Sequence, residues 1–151
     1  MKLPKEFEYY LQKGIIRKTS QNKPRAEFLI NESEVSLEGL KERVGIIGIN
    51  NKNANSIIKD CYDIMMERIR AKLLLEGYSS SGSYAHEAEI SYLRKLGFSD
   101  NEISFLNELR YFRNSITYYG KILDKEYAEK VFDFLKKIIK RLRGEGSPNK
   151  I

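Results

Sequence analysis

Between Asn55 and Glu76, the residues Ile57, Ile58, Cys61, Tyr62, Ile64, Met65, Ile69, Leu73 and Leu74 recur at helical spacing and form a broad apolar face. A surface helix needs only a stripe; a face this wide belongs to a helix buried among others. Gly77 supplies its C-terminal stop. The rest of the chain must therefore provide partner helices. At 151 residues, 41% hydrophobic and 32% charged, it is long enough to bury a real core and too apolar to be disordered.

The partners can be read on either side. Pro4 to Lys13 forms a short amphipathic pattern with Phe7, Tyr10 and Leu11 on one face, ended by Gly14. A second helix enters at Ser20 to Pro24 and carries Phe28, Leu29, Val35, Leu37, Leu40, Val44 and Ile47, with irregular spacing around Asn31 to Ser36. Gly48 and the polar Asn50-Asn51-Lys52-Asn53 break it. Ser79-Ser80-Ser81-Gly82-Ser83 reads as a flexible loop, and Tyr84 to Leu96 as a shorter helix ended by Gly97. Ser99 offers an N-cap for a helix running to Tyr119 and stopped by Gly120. Asp124 opens a last helix with the stripe Tyr127, Val131, Phe134, Leu135, Ile138 and Leu142. No strand is evident. The expected fold is an all-α, up-and-down bundle of about five or six helices, with residues 1–143 as one domain and 144–151 as a flexible tail.

Cys61 is the only cysteine, which excludes an internal disulfide, and its apolar neighbours predict a packed thiol. His86 is the only histidine, so one chain cannot build a multi-histidine metal centre. No phosphate-loop or dinucleotide fingerprint occurs, and Asp60 and Asp63 alone are too few oxygens for a magnesium site. Neither metal nor cofactor is expected. No apolar run nears the roughly 20 residues of a membrane span and the N-terminus has no signal-peptide core, so the expected location is cytoplasmic, with no membrane partner. The abundant Lys, Glu, Ile and Tyr suit a thermophile.

The net charge of +6 and pI near 9.3 favour anionic partners. On a helical wheel, Phe105, Leu109, Phe112 and Ile116 share one face of the fifth helix. Arg110, Arg113, Asn114 and Thr117 gather well away from it, with Tyr118 at the far edge. Guanidinium forks beside amide and hydroxyl groups suit phosphate oxygens. The same strip also reads as a solvated face, or as an arginine–carboxylate network at a subunit contact. The basic run Lys136 to Arg143 has a similar pair of readings: a solvated face, or an RNA-backbone contact.

The segment Leu109-Arg110-Tyr111-Phe112-Arg113-Asn114-Ser115-Ile116-Thr117-Tyr118-Tyr119-Gly120 resembles the late-helix signature of HEPN domains. In that family an Arg, often followed by Asn, precedes a His a little over one turn further on. The stretch His86-Glu87-Ala88, followed by Ile90, Leu93 and Leu96, is similar to the middle of archaeal HEPN proteins, and the likeness covers Pro24 to Arg143. It implies a homodimer in which two arginine-bearing helices enclose a basic groove. Many members are metal-independent ribonucleases, often toxins paired with a minimal nucleotidyltransferase; others are non-catalytic modules that bind nucleotides or protein partners. Arg113 and Asn114 match the motif directly, and with Tyr118 they form the catalytic set that the resemblance implies. Arg110, Arg113, Thr117 and His86 would hold RNA or nucleotide phosphate. Tyr118 stands where the family places its His; a phenol of ordinary pKa about 10 is poorly matched to proton transfer near neutrality. His86, from another helix, is the alternative proton carrier.

Overall fold

A computed structural model describes residues 3–120 and 122–144, excluding the side chains of residues 116–119. The described residues form six α-helices: α1 (Phe7–Gln12), α2 (Lys23–Ile47), α3 (Ala54–Leu75), α4 (Ala85–Ser91), α5 (Asp100–Tyr119) and α6 (Lys125–Leu142). The all-α expectation holds. As the apolar pattern required, α3 lies at the centre, packed against α2, α4, α5 and α6. Ile58, Cys61, Met65 and Ile69 are fully enclosed, and with Leu40, Leu93, Ile103, Leu106, Leu109, Val131, Leu135 and Ile138 they form the main core. Cys61 is the packed thiol expected, and desolvation pushes its pKa well above the ordinary range.

Local signals set the ends of the site-bearing helices. Ser99 and Glu102 form a reciprocal capping box on α5, and Gly120 closes the helix in the left-handed conformation at φ 67°. Asp124 caps α6 through the Tyr127 amide. The irregular stretch of α2 is continuous helix. Its gap in apolar spacing is filled by the buried Ser33, whose hydroxyl donates to the Ile30 carbonyl at 2.7 Å. Phe28, Val35 and Ile47 do not join the core; they lie exposed on the outer side of α2.

Two expectations need correction. Part of the serine-rich loop is ordered: β2 (Tyr78–Ser80) pairs antiparallel with β1 (Ile16–Lys18). Strands of three residues carry no readable alternation, and this pair is created by chain reversal at Gly14 and Gly77, both at positive φ. The helix expected through Leu96 stays α only to Ser91, and Tyr92–Leu96 tightens into a 3₁₀ turn before Gly97. The sheet anchors the N-terminal segment: Phe7, Tyr10 and Ile16 pack with Leu73, Ala88 and Tyr92 in a second cluster, which gives α1 a place against α4. No helix among the described residues is long and apolar enough to cross a membrane. Of the tail, residues 145–151 lie outside the described residues.

Gly77 is the tightest point of this junction. At φ +83°, an added Cβ would lie 2.9 Å from the Thr19 carbonyl oxygen, and the Gly77 carbonyl accepts from the Thr19 amide at 2.8 Å. Gly77→Ala combines backbone strain with a backbone clash and is expected to cost about 1–3 kcal/mol. Urea denaturation of the variant beside wild type checks this; an unchanged midpoint would contradict it.

Candidate functional site: a polar seam between α3, α4 and α5

Tyr62, Asp63 and Arg70 of α3 emerge where α4 and α5 meet it. On α5, Arg110 turns toward α4: its Nε donates to Asn107 Oδ1 at 2.9 Å, and its Nη2 to Glu87 Oε1 at 3.4 Å. Asn107 is buried, so this bond also satisfies an amide enclosed in the bundle. The other Glu87 oxygen accepts from the Tyr10 hydroxyl at 2.7 Å, and that hydroxyl accepts from the Lys5 amide at 3.1 Å. Desolvation and the adjacent Glu87 both push the Tyr10 pKa up, so Tyr10 remains a donor. One turn along α5, Arg113 reaches Asp63 of α3, with nitrogen–oxygen distances of 3.3 and 3.4 Å.

His86 joins the seam from the first turn of α4. Its Nδ1 lies 3.3 Å from Tyr62 Oη, and the two rings stack with centroids 6.2 Å apart. Tyr62 is buried, and desolvation raises its pKa, so its hydroxyl keeps its proton. Desolvation also lowers the His86 pKa, with Arg70 and Arg110 acting in the same direction against the carboxylates of Glu89 and Asp63. A neutral imidazole that accepts the Tyr62 proton at Nδ1 must carry its own proton on Nε2. In that tautomer His86 offers an Nε2–H donor rather than a free basic nitrogen.

Behind His86 lies the most enclosed charge of the seam. Glu89, 1% exposed, receives a fork from Arg70 through Nε at 3.0 Å and Nη2 at 3.1 Å, and a third bond from the Ser80 hydroxyl at 2.5 Å. The bonds to Glu89 keep its carboxylate from being left unsatisfied inside the fold.

Of the residues expected to form the site, Arg110, Arg113 and His86 come together on this seam. Asn114 follows on α5 and is exposed. Thr117 and Tyr118 belong to the last turn of α5, but their side chains lie outside the described residues. The arginine strip does not stand free of the bundle as the wheel suggested. Leu109 and Leu106 face the core, and the arginines flank it, turned toward neighbouring helices. Sequence reasoning missed Tyr62, Glu87, Glu89 and Asn107 as members. A signal was present: Asp63, Glu67 and Arg70 form a polar line at helical spacing along one side of α3.

Asp60 and Asp63 do not converge on a shared ligand position; they pair with Arg43 and Arg113 respectively. Among the described residues no group of three or more His, Cys, Asp or Glu is placed to hold a metal ion. The basic end of α6 is drawn into the fold. Lys137 and Arg141 converge on Glu102, and Arg143 pairs with Glu34, which also accepts from Arg68 at 2.6 Å. Burial alone would raise the Glu102 pKa. The bonds from the Ser99 amide and Arg141, with the nearby Lys137, outweigh it and hold the carboxyl at about 2.

No family model, curated protein or solved structure matches this chain.

The two kinds of ion pair should separate in stability measurements. Arg70→Met leaves the Glu89 carboxylate buried without its fork and is expected to cost about 3–5 kcal/mol. Arg43→Met removes an exposed pair and should cost less than about 1 kcal/mol. Paired denaturant melts check the contrast; equal losses in the two variants would contradict the enclosed role of Glu89.

Proposed function

We propose that this chain is a HEPN-type protein that binds RNA or a nucleotide phosphate along the seam, acting as a homodimer. The observation that carries the reading is the nearness of the sole histidine to Arg110: His86 is within electrostatic reach of that guanidinium, and its neighbour Glu87 accepts from it, although His86 and Arg110 are 24 positions apart in the chain. Guanidinium forks at Arg110 and Arg113 and the Nε2–H of a neutral His86 supply charged and uncharged donors for phosphate oxygens. Asn114 extends the strip with an exposed amide. The dimer comes from the family resemblance, as does membership of a toxin–antitoxin type system.

Catalysis is the more demanding part of this reading. RNA cleavage without a metal requires a ribose 2′-hydroxyl to lose its proton and attack the adjacent phosphate, while the bond to the 5′-oxygen of the next nucleotide breaks and that oxygen takes up a proton. Arg113 would stabilise the charge that develops on the phosphate oxygens, and Asn114 would position the backbone. The proton must pass through Tyr118 or His86, and a Tyr62 hydroxyl that donates to Nδ1 would leave His86 with its proton on Nε2. Slow cleavage, or binding alone, fits these groups better than fast turnover.

A second reading draws on the ion pairs. Glu87 and Asp63 already neutralise much of the positive charge of Arg110 and Arg113, while Tyr111 lies exposed beside them. That pattern suits a non-catalytic module in which the seam is structural and the adjoining surface docks a protein, for which the resemblance suggests a minimal nucleotidyltransferase.

The two readings separate when labelled single-stranded RNA is incubated with the protein without metal. On the first, Arg113→Ala weakens RNA binding by roughly ten- to a hundredfold at moderate salt. Asp63→Asn, which removes the competing carboxylate, binds more tightly than wild type. Arg113→Ala that binds as well as wild type would overturn the first reading in favour of the interaction module.

A further inference from the structure

A cavity of about 520 Å³ opens away from the α5 arginines, between the β1–β2 pair, the start of α2 and the last turns of α3. Its lining includes two arginines, Arg25 and Arg70, and no carboxylate. Arg25 differs from the α5 arginines of the seam, which each face an acid, whereas Arg70 is paired with Glu89. Arg25 is exposed in the first turn of α2, and its guanidinium has no partner among the described residues. Arg70 commits Nε and Nη2 to Glu89, while Nη1 takes no part in that fork. The Ser79 and Ser80 hydroxyls border the same space, and Leu74 with the Tyr78 side chain adds apolar surface.

We propose that this cavity binds a small phosphate monoester with a hydroxylated body. Arg25, whose guanidinium is unpartnered among the described residues, supplies the positive charge and a fork for phosphate oxygens, and the Nη1 of Arg70 left over from its Glu89 pair adds a further donor. Ser79 can donate to a polar body while the Ser80 hydroxyl, its proton given to Glu89, can only accept, and the Tyr78 and Leu74 surface can pack against that body. The volume lies within the range of small-molecule sites, which is roughly 300–1,000 Å³, and exceeds what a phosphate ion alone would fill. Through Arg70 and Ser80 the cavity shares the Glu89 network, but it uses none of the α5 arginines, so this site is independent of RNA binding along the seam.

Calorimetric titration with ribose 5-phosphate, ribose and inorganic phosphate tests the assignment. Wild type should bind ribose 5-phosphate, with inorganic phosphate weaker and ribose undetectable. Arg25→Ala, an exposed substitution that leaves the core untouched, should weaken the ester by roughly ten- to a hundredfold. Arg113→Ala should leave its affinity unchanged. Absence of ribose 5-phosphate binding at millimolar concentration, inorganic phosphate as tight as the ester, or an Arg25→Ala variant of wild-type affinity would each overturn the proposal. Loss of ester binding in Arg113→Ala would move the site to the seam and overturn it as well.

Discussion

Helix α3 has neighbours on nearly every side: α2 and α6 along its length, α4 and α5 across the remaining face. A helix so enclosed can leave polar groups only where other polar groups meet them, because an unpaired buried charge or hydroxyl costs kilocalories. Tyr62, Asp63 and Arg70 are the groups that α3 sends toward α4 and α5, and each has a specific partner there: His86, Arg113 and Glu89. For Tyr62, and for the Glu89 that Arg70 meets, burial requires the partner; Asp63 is exposed and pairs with Arg113 at the outer edge of the seam. The seam's geometry is fixed by the same packing that holds the bundle.

The network extends beyond the three helices. Tyr10 brings the N-terminal segment onto Glu87, and Ser80 brings the small sheet onto Glu89. Elements peripheral to the core therefore restrain α4, a helix of only seven residues that carries His86, Glu87 and Glu89. So short a helix has little intrinsic stability and depends on tertiary contacts. Docking of α1 and β2 is the physical reason that His86 sits where it does. It also ties the arginine seam to the cavity beneath the β1–β2 pair through one shared ion pair, Arg70–Glu89.

Much of the bundle was legible because its signals are periodic or chemically specific. The breadth of the apolar face from Ile57 to Leu74 announced a buried helix, and Ser99, Gly120 and Asp124 marked helix ends by capping chemistry. What could not be read is what depends on distant partners. Phe28 and Val35 fit a helical spacing yet face outward, while the polar Ser33 faces inward with its hydroxyl satisfied by its own helix. The three-residue strands have too little length for a period. On the site, Arg110 and Arg113 stood out by residue type, and His86 was weighed as their substitute proton carrier. Their pairing with Glu87 and Asp63, and the contact of Tyr62 with His86, are tertiary facts that no local pattern encodes.

In the proposed ligand seam, a Tyr62 hydroxyl donating to Nδ1 holds a neutral His86 with its proton on Nε2. Because the chain has a single histidine, nitrogen-detected NMR of the imidazole reads this directly. The account predicts an Nε2–H tautomer at neutral pH, a pKa below the ordinary value of about 6.5, and a change in the imidazole resonances when single-stranded RNA is added. An Nδ1–H tautomer, or a pKa at or above the ordinary value, with resonances indifferent to RNA, would contradict it.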